Sequence, residues 1–232
     1  MLPLPRRWLL LLFGFPIGTR LGAQVPGLPI SYHPVMQGIG AAVDVGVDTA
    51  GLRTVALTGS VALGTVRVGP GRLPLLSVSA TGSLAAGGDV ADPGWAAGVS
   101  VSLLNSFALG VGYSRSAGTA RIFIPFSAAL PVVQCISSGN SFVLYGTPAW
   151  NFEHVAGQDG AGWRSSWASV SAGALFQWRS GVGVQLLAGK PFGEAAERDP
   201  YRRLVFAAQL SLTSQGVSRE APRESYGCHA LL

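Results

Sequence analysis

Residues 95–104 read WAAGVSVSLL, residues 105–106 NS, and residues 107–114 FALGVGYS. In the first run Trp95, Val99, Val101 and Leu103 alternate with Gly98, Ser100 and Ser102. In the second, Phe107, Leu109, Val111 and Tyr113 alternate with Ala108, Gly110, Gly112 and Ser114. Successive side chains of a strand point to opposite faces, so period-two apolarity predicts two strands. Asn105-Ser106 is a hairpin-length connection between them. The hairpin has one bulky apolar face and one face of Gly, Ala and Ser.

The same alternation extends in both directions. Val55, Leu57, Val61 and Leu63 oppose Ala56, Thr58, Ser60 and Ala62, and Val170, Ala172, Ala174, Phe176 and Trp178 oppose Ser169, Ser171, Gly173 and Gln177. Leu204, Phe206, Leu210 and Leu212 oppose Gln209, Ser211 and Thr213. Ten strands are predicted, at about 36–47, 54–68, 74–85, 95–104, 107–114, 121–133, 142–154, 165–178, 182–190 and 203–213, with eight as the alternative count. Pro125 and Pro148 each remove a ladder donor, and a bulge or register shift is expected at Pro125. Connections after the third, seventh and ninth strands are long and polar, and those after the fourth and eighth are short. Long and short connections thus fall on opposite ends of an antiparallel sheet.

The opening segment adds a destination. Met1–Ala23 has the form of a secretory signal: Arg6 and Arg7, an apolar run from Trp8 to Gly18, and Leu21-Gly22-Ala23 as the cleavage site. The run is too short and too interrupted (Gly14, Pro16, Arg20) for a spanning helix, which needs about 20 apolar residues. Residues 24–35 read as a periplasmic lead-in, 36–213 as the sheet region and 214–232 as a polar periplasmic tail. Removing Arg6, Arg7 and Arg20 from the 16 basic residues leaves 13 against 11 acidic ones. The mature chain is therefore nearly neutral and has no basic track, which argues against a nucleic-acid partner.

Composition separates two all-β readings. In a soluble secreted β-sandwich the apolar faces are core and the polar faces meet water. Such surfaces carry abundant charge, whereas only 12% of this chain is charged and Lys190 is its sole lysine. In a transmembrane β-barrel the apolar face meets lipid and the small polar face lines the interior. In lipid every backbone polar group must pair within the protein, so the sheet has to close. The reading preferred here is all-β: an antiparallel up-and-down outer-membrane barrel with both termini periplasmic. Strand directions then put Trp95, Tyr113, Trp150 and Phe152 at the external ends and Phe107, Phe142, Phe176 and Trp178 at the periplasmic ends. All eight share the apolar parity, as two interfacial girdles require.

With these features the chain resembles small bacterial outer-membrane barrels of the opacity-protein and attachment-protein type, within the porin-like group. The resemblance covers the signal and the alternating region to about Thr213. It implies outer-membrane lipid and the barrel assembly machinery as partners, and a surface ligand held by external loops as a further one. The chain departs from that type in having ten strands rather than eight, and in lacking a terminal aromatic. Its last strand ends Leu210-Ser211-Leu212-Thr213, so assembly would have to read an internal signal.

Little chemistry is encoded. The histidines are His33, His154 and His229. Glu153-His154 lies near Asp159 and Ser165, as an outer-rim site of a barrel enzyme would require. Adjacent strand residues face opposite ways, however, so Glu153 and His154 cannot both face the lumen. No catalytic residue, cofactor or metal is expected, and Cys228-His229 is too small a ligand set for zinc. Arg67 and Arg121 sit at strand ends in the headgroup zone; facing inward they would give a narrow lumen a weak anion preference. Cys135 and Cys228, both on the periplasmic side of this topology, are candidates for a disulfide. The function expected is structural, surface-binding or narrow-pore, with external contacts through Asp89–Gly94, Gly157–Arg164 and Phe192–Tyr201. A soluble binding module and a rim enzyme are the alternatives.

Overall fold

The computed structural model describes residues 39–49, 51–68, 71–87, 90–104, 106–116, 119–135, 140–155, 163–178, 180–192, 204–214 and 228–230. The expected signal and lead-in lie outside these residues. Among the described residues eleven strands form: β1 (Ile39–Asp48), β2 (Leu52–Val68), β3 (Gly71–Gly87), β4 (Val90–Leu103), β5 (Phe107–Ser116), β6 (Thr119–Cys135), β7 (Asn140–Val155), β8 (Arg164–Gln177), β9 (Val182–Phe192), β10 (Val205–Ser214) and β11 (Cys228–Ala230). β1 to β10 pair with their chain neighbours, and β1 pairs with β10, so the sheet closes into a ten-stranded antiparallel barrel. β11 is an appendage on the edge of β6.

The register fixes the geometry. Starting at Val45 and following partners through Val55, Leu84, Trp95, Arg115 and Ala120 leads to His154 on β7. The opposite way round, through Leu210, Val184 and Phe176, leads to Phe142 on the same strand. These endpoints are twelve residues apart, and that is the stagger of the closed sheet. With ten strands spaced about 4.8 Å apart it tilts them about 40° from the barrel axis, leaving ~2.5 Å of height per residue. The ten residues of β1, β5 and β10 each span about 25 Å, the height of an outer-membrane apolar band.

The two ends of the barrel differ. At one, the turn end, the odd-numbered barrel strands start and the even-numbered ones finish, among them the start of β1 and the finish of β10. At the other, the loop end, the odd-numbered strands finish and the even-numbered ones start. The β1–β2 turn is held by Asp48, whose carbonyl accepts from Gly51 N (3.0 Å) and whose Oδ1 accepts from Leu52 N (2.9 Å).

Three expectations need correction. The polar stretch Gly87–Gly94 is not a loop: β3 and β4 run through it as a ribbon, with a register shift between Ala85 and Gly87 that absorbs the polar residues. Pro125 causes no shift, because Pro125↔Ala149 and Ala128↔Gly146 are in the same register. Its ring is accommodated by Gly110 on β5, where an added Cβ would stand 3.2 Å from Pro125 Cγ. The shift in β6 lies instead between Pro131 and Val133, and that in β7 between Asn151 and Phe152. Finally, the polar tail contains β11.

Candidate functional site

The barrel has two chemically distinct surfaces, and alternation assigns them. Val43, Leu57, Val99, Leu109, Leu144, Leu186 and Leu210 point outward and are exposed; Leu57 is 61% exposed. Inward positions of the same strands hold Asp44, Thr58, Ser100, Tyr145, Gln185 and Ser211. Apolar outside and polar inside is the inverse of a soluble domain.

Aromatic residues lie at both rims of the outward face. At the loop end Trp95 and Tyr113 are in ring contact (5.4 Å between centroids), and Trp163 lies 6.5 Å from Tyr113. Trp150 is exposed and Phe152 half-buried on the same face. At the turn end Phe176 and Trp178 meet edge-to-face at 4.7 Å, Phe142 pairs with Phe176, and Phe107 stacks on Phe126 at 6.5 Å. Phe126 and Trp163 were not singled out in the sequence. Parity alone would have found Phe126, which shares the outward face of β6 with Ile122 and Ile124.

The interior is crossed near mid-height by a hydrogen-bonded relay. The Tyr145 hydroxyl donates to Gln185 Oε1 (2.7 Å), Gln185 Nε2 donates to Ser211 Oγ (3.0 Å), and Ser211 Oγ donates to Asp44 Oδ1 (2.6 Å). All four residues are buried. The relay links β7, β9, β10 and β1, and so has to pass β8. It does so at Gly173, the partner of Tyr145 on β8, where the absent side chain lets the phenol lie across the strand. Phe123 uses Gly112 on β5 in the same way. Hydroxyl pairs continue the polar belt: Thr58 with Thr81 (2.9 Å), Ser79 with Ser100 (2.7 Å) and Ser127 with Thr147 (3.0 Å). Large inward side chains thus come from β6 to β10, including Leu175 and Gln177 of β8, whereas β3 to β5 present mostly Ser, Thr, Ala and Gly, many of them half-buried.

Near the loop end Arg121 and Glu153 form an inward ion pair, with Arg121 only 2% exposed. Arg121 Nε also donates to Glu153 Oε1 at 2.9 Å. This corrects the headgroup placement of Arg121. Its charge is matched by a carboxylate, so it is no bare cation in the lumen. The side chain of Arg67 lies outside the described residues. His154, next to Glu153, turns to the outer face and packs against Trp163 at 5.8 Å. The two rim groups are therefore separated by the wall of the sheet. Asp159 and the Ser165 side chain are outside the described residues. Among the described residues no group of three His, Cys, Asp or Glu is placed to hold a metal ion. Cys135 and Cys228 are direct backbone partners in the β6–β11 ladder.

No protein-family model matches the chain, and no curated protein matches it. Among solved structures, it is similar to a de novo designed transmembrane β-barrel at 10% identity, covering 78% of this chain and 100% of the design, with a TM-score of 0.34. It is similar to the outer membrane enzyme PagL at 14% identity, covering 76% of this chain and 99% of PagL, with a TM-score of 0.36. A membrane protein from a study of in-meso crystallization matches at 9% identity, covering 75% and 83% of the two chains, with a TM-score of 0.34.

Proposed function

We propose that this chain is a bacterial outer-membrane barrel that acts as a rigid, non-catalytic scaffold, closed to ion flow, with its loop end toward the outside. The observation that carries the reading is the inversion of polarity across a closed wall: exposed Leu, Val and Phe outside, hydrogen-bonded Ser, Thr, Gln and Asp inside. Hydrocarbon is the environment in which that arrangement is stable. Aromatic rims at both ends fit the two headgroup interfaces. Both ends of the sheet would then be periplasmic, because β1 starts and β10 finishes at the turn end.

The interior supports a scaffold more than a channel. The relay from Tyr145 to Asp44 consumes the polar groups that would otherwise solvate a passing ion. The Arg121–Glu153 pair neutralises the buried charge near the loop end. A ligand would be met at the loop end, where β7 and β9 finish, since connections vary on a fixed frame. Narrow-pore activity is the second reading, favoured by the half-buried hydroxyl lining of β3 to β5.

Purification and planar-bilayer recording test these readings together. The expected result is a protein that needs detergent, migrates on gels in a heat-modifiable manner, and gives no discrete conductance steps. Reproducible steps would replace the scaffold by the pore. Monodisperse protein in plain buffer would overturn the membrane assignment.

A further inference from the structure

We propose that Cys135 and Cys228 form a disulfide that fastens β11 to the edge of β6 at the turn end of the barrel. The β4–β5 hairpin stops at Leu103 and Phe107, which pair with Leu76 and Ala128. β6 continues beyond that level to Cys135, with β7 on its other side as far as Asn140. The short hairpin therefore leaves a stretch of β6 edge without a neighbour from β5. β11 fills part of it: Ala230 pairs with Val133, His229 with Gln134 and Cys228 with Cys135.

That register is the core of the argument. Direct partners in an antiparallel ladder have Cα atoms about 4.5 or 5.5 Å apart, depending on which of the two rung types they occupy. Both separations fall in the window of about 4.4–6.8 Å that a disulfide spans. The chain has two cysteines, 93 positions apart, and the fold puts them on one rung. A strand of three residues is short against the usual length of about five or six. A covalent bond at its first residue would hold what three rungs hold weakly.

The chemistry is thiol–disulfide exchange. One cysteine thiolate attacks a disulfide-bearing oxidant of the exporting compartment and expels one of its sulfurs as thiolate. The second cysteine thiolate then displaces the other. The two protein thiols lose two protons and two electrons, and the oxidant's disulfide becomes a dithiol. The proposal rests on the exported reading for its oxidant alone, since reducing compartments keep thiols free.

Full-length protein isolated without reductant, alkylated and digested, tests the bond by mass spectrometry. The expected result is a linked peptide pair containing Cys135 and Cys228, with both cysteines alkylated only after reduction. Cys228→Ser is expected to free Cys135 for alkylation and to hasten proteolytic removal of residues 215–232 from a barrel that stays heat-modifiable. Two alkylated thiols in the unreduced protein, or a bond between two copies, would overturn the proposal. Fractionation of the same sample reads the location separately: a linked pair in soluble protein keeps the clasp and removes the membrane, and free thiols in membrane protein do the reverse.

Discussion

Tyr145 lies over Gly173, its partner across the β7–β8 ladder, so closely that a Cβ on Gly173 would stand 2.5 Å from the phenol ring. Gly173→Ala therefore forces the ring off its bond to Gln185. The expected loss is about 1–3 kcal/mol, the usual cost of overpacking, read by urea unfolding of the barrel reconstituted in lipid vesicles. An unchanged midpoint would show that the ring moves aside freely.

The relay behaves as a unit. Tyr145→Phe removes the hydroxyl that donates to Gln185 Oε1, and Gln185→Met removes both the acceptor of the Tyr145 hydroxyl and the donor to Ser211 Oγ, which keeps its bond to Asp44. Each buried polar group left without a partner costs about 1–3 kcal/mol. A double-mutant cycle on these two positions is expected to show coupling of about 0.5–3 kcal/mol. Strict additivity would mean that the bond contributes nothing measurable.

Arg121 and Glu153 depend on each other. Arg121→Met removes the cation paired with a mostly buried carboxylate and is expected to cost about 3–5 kcal/mol. The double replacement Arg121→Met with Glu153→Leu is expected to recover most of that loss. Recovery is measured by the same unfolding assay, and its absence would assign the arginine a role other than pairing.

Depth dependence separates lipid from protein as the neighbour of the outer face. Leu57 sits near mid-height, and Ile39 begins β1 at the turn-end rim; both are exposed. Leu57→Arg is expected to destabilise the reconstituted barrel by about 2–4 kcal/mol and Ile39→Arg by no more than ~1 kcal/mol. Equal small effects at both positions would indicate water on that face.

Much of this architecture was legible from parity. The run from Trp95 to Ser114 fixed both strands of one hairpin and the outward side of each, because Val99, Val101, Leu109 and Val111 meet no competing signal. The ribbon from Gly87 to Gly94 was hidden, because Gly, Asp and Pro signal a turn and long-range pairing overrode them. Pro125 misled for the opposite reason: its allowance is made by Gly110 on the next strand, which sequence proximity does not reveal. The relay was invisible because its four members come from four strands, and Tyr145 reads as one more aromatic until its parity is counted. β11 carries three residues, too few for any periodicity.

The bond from Ser211 to Asp44 joins the last barrel strand to the first. Until those strands meet, Asp44 lacks its bond from Ser211, and an open sheet in hydrocarbon would hold that carboxylate at its margin. Sealing the seam thus completes the inner polar belt in the same event that removes two bare edges. Half-closed forms are penalised twice, and the barrel is expected to assemble and come apart as one cooperative body rather than hairpin by hairpin.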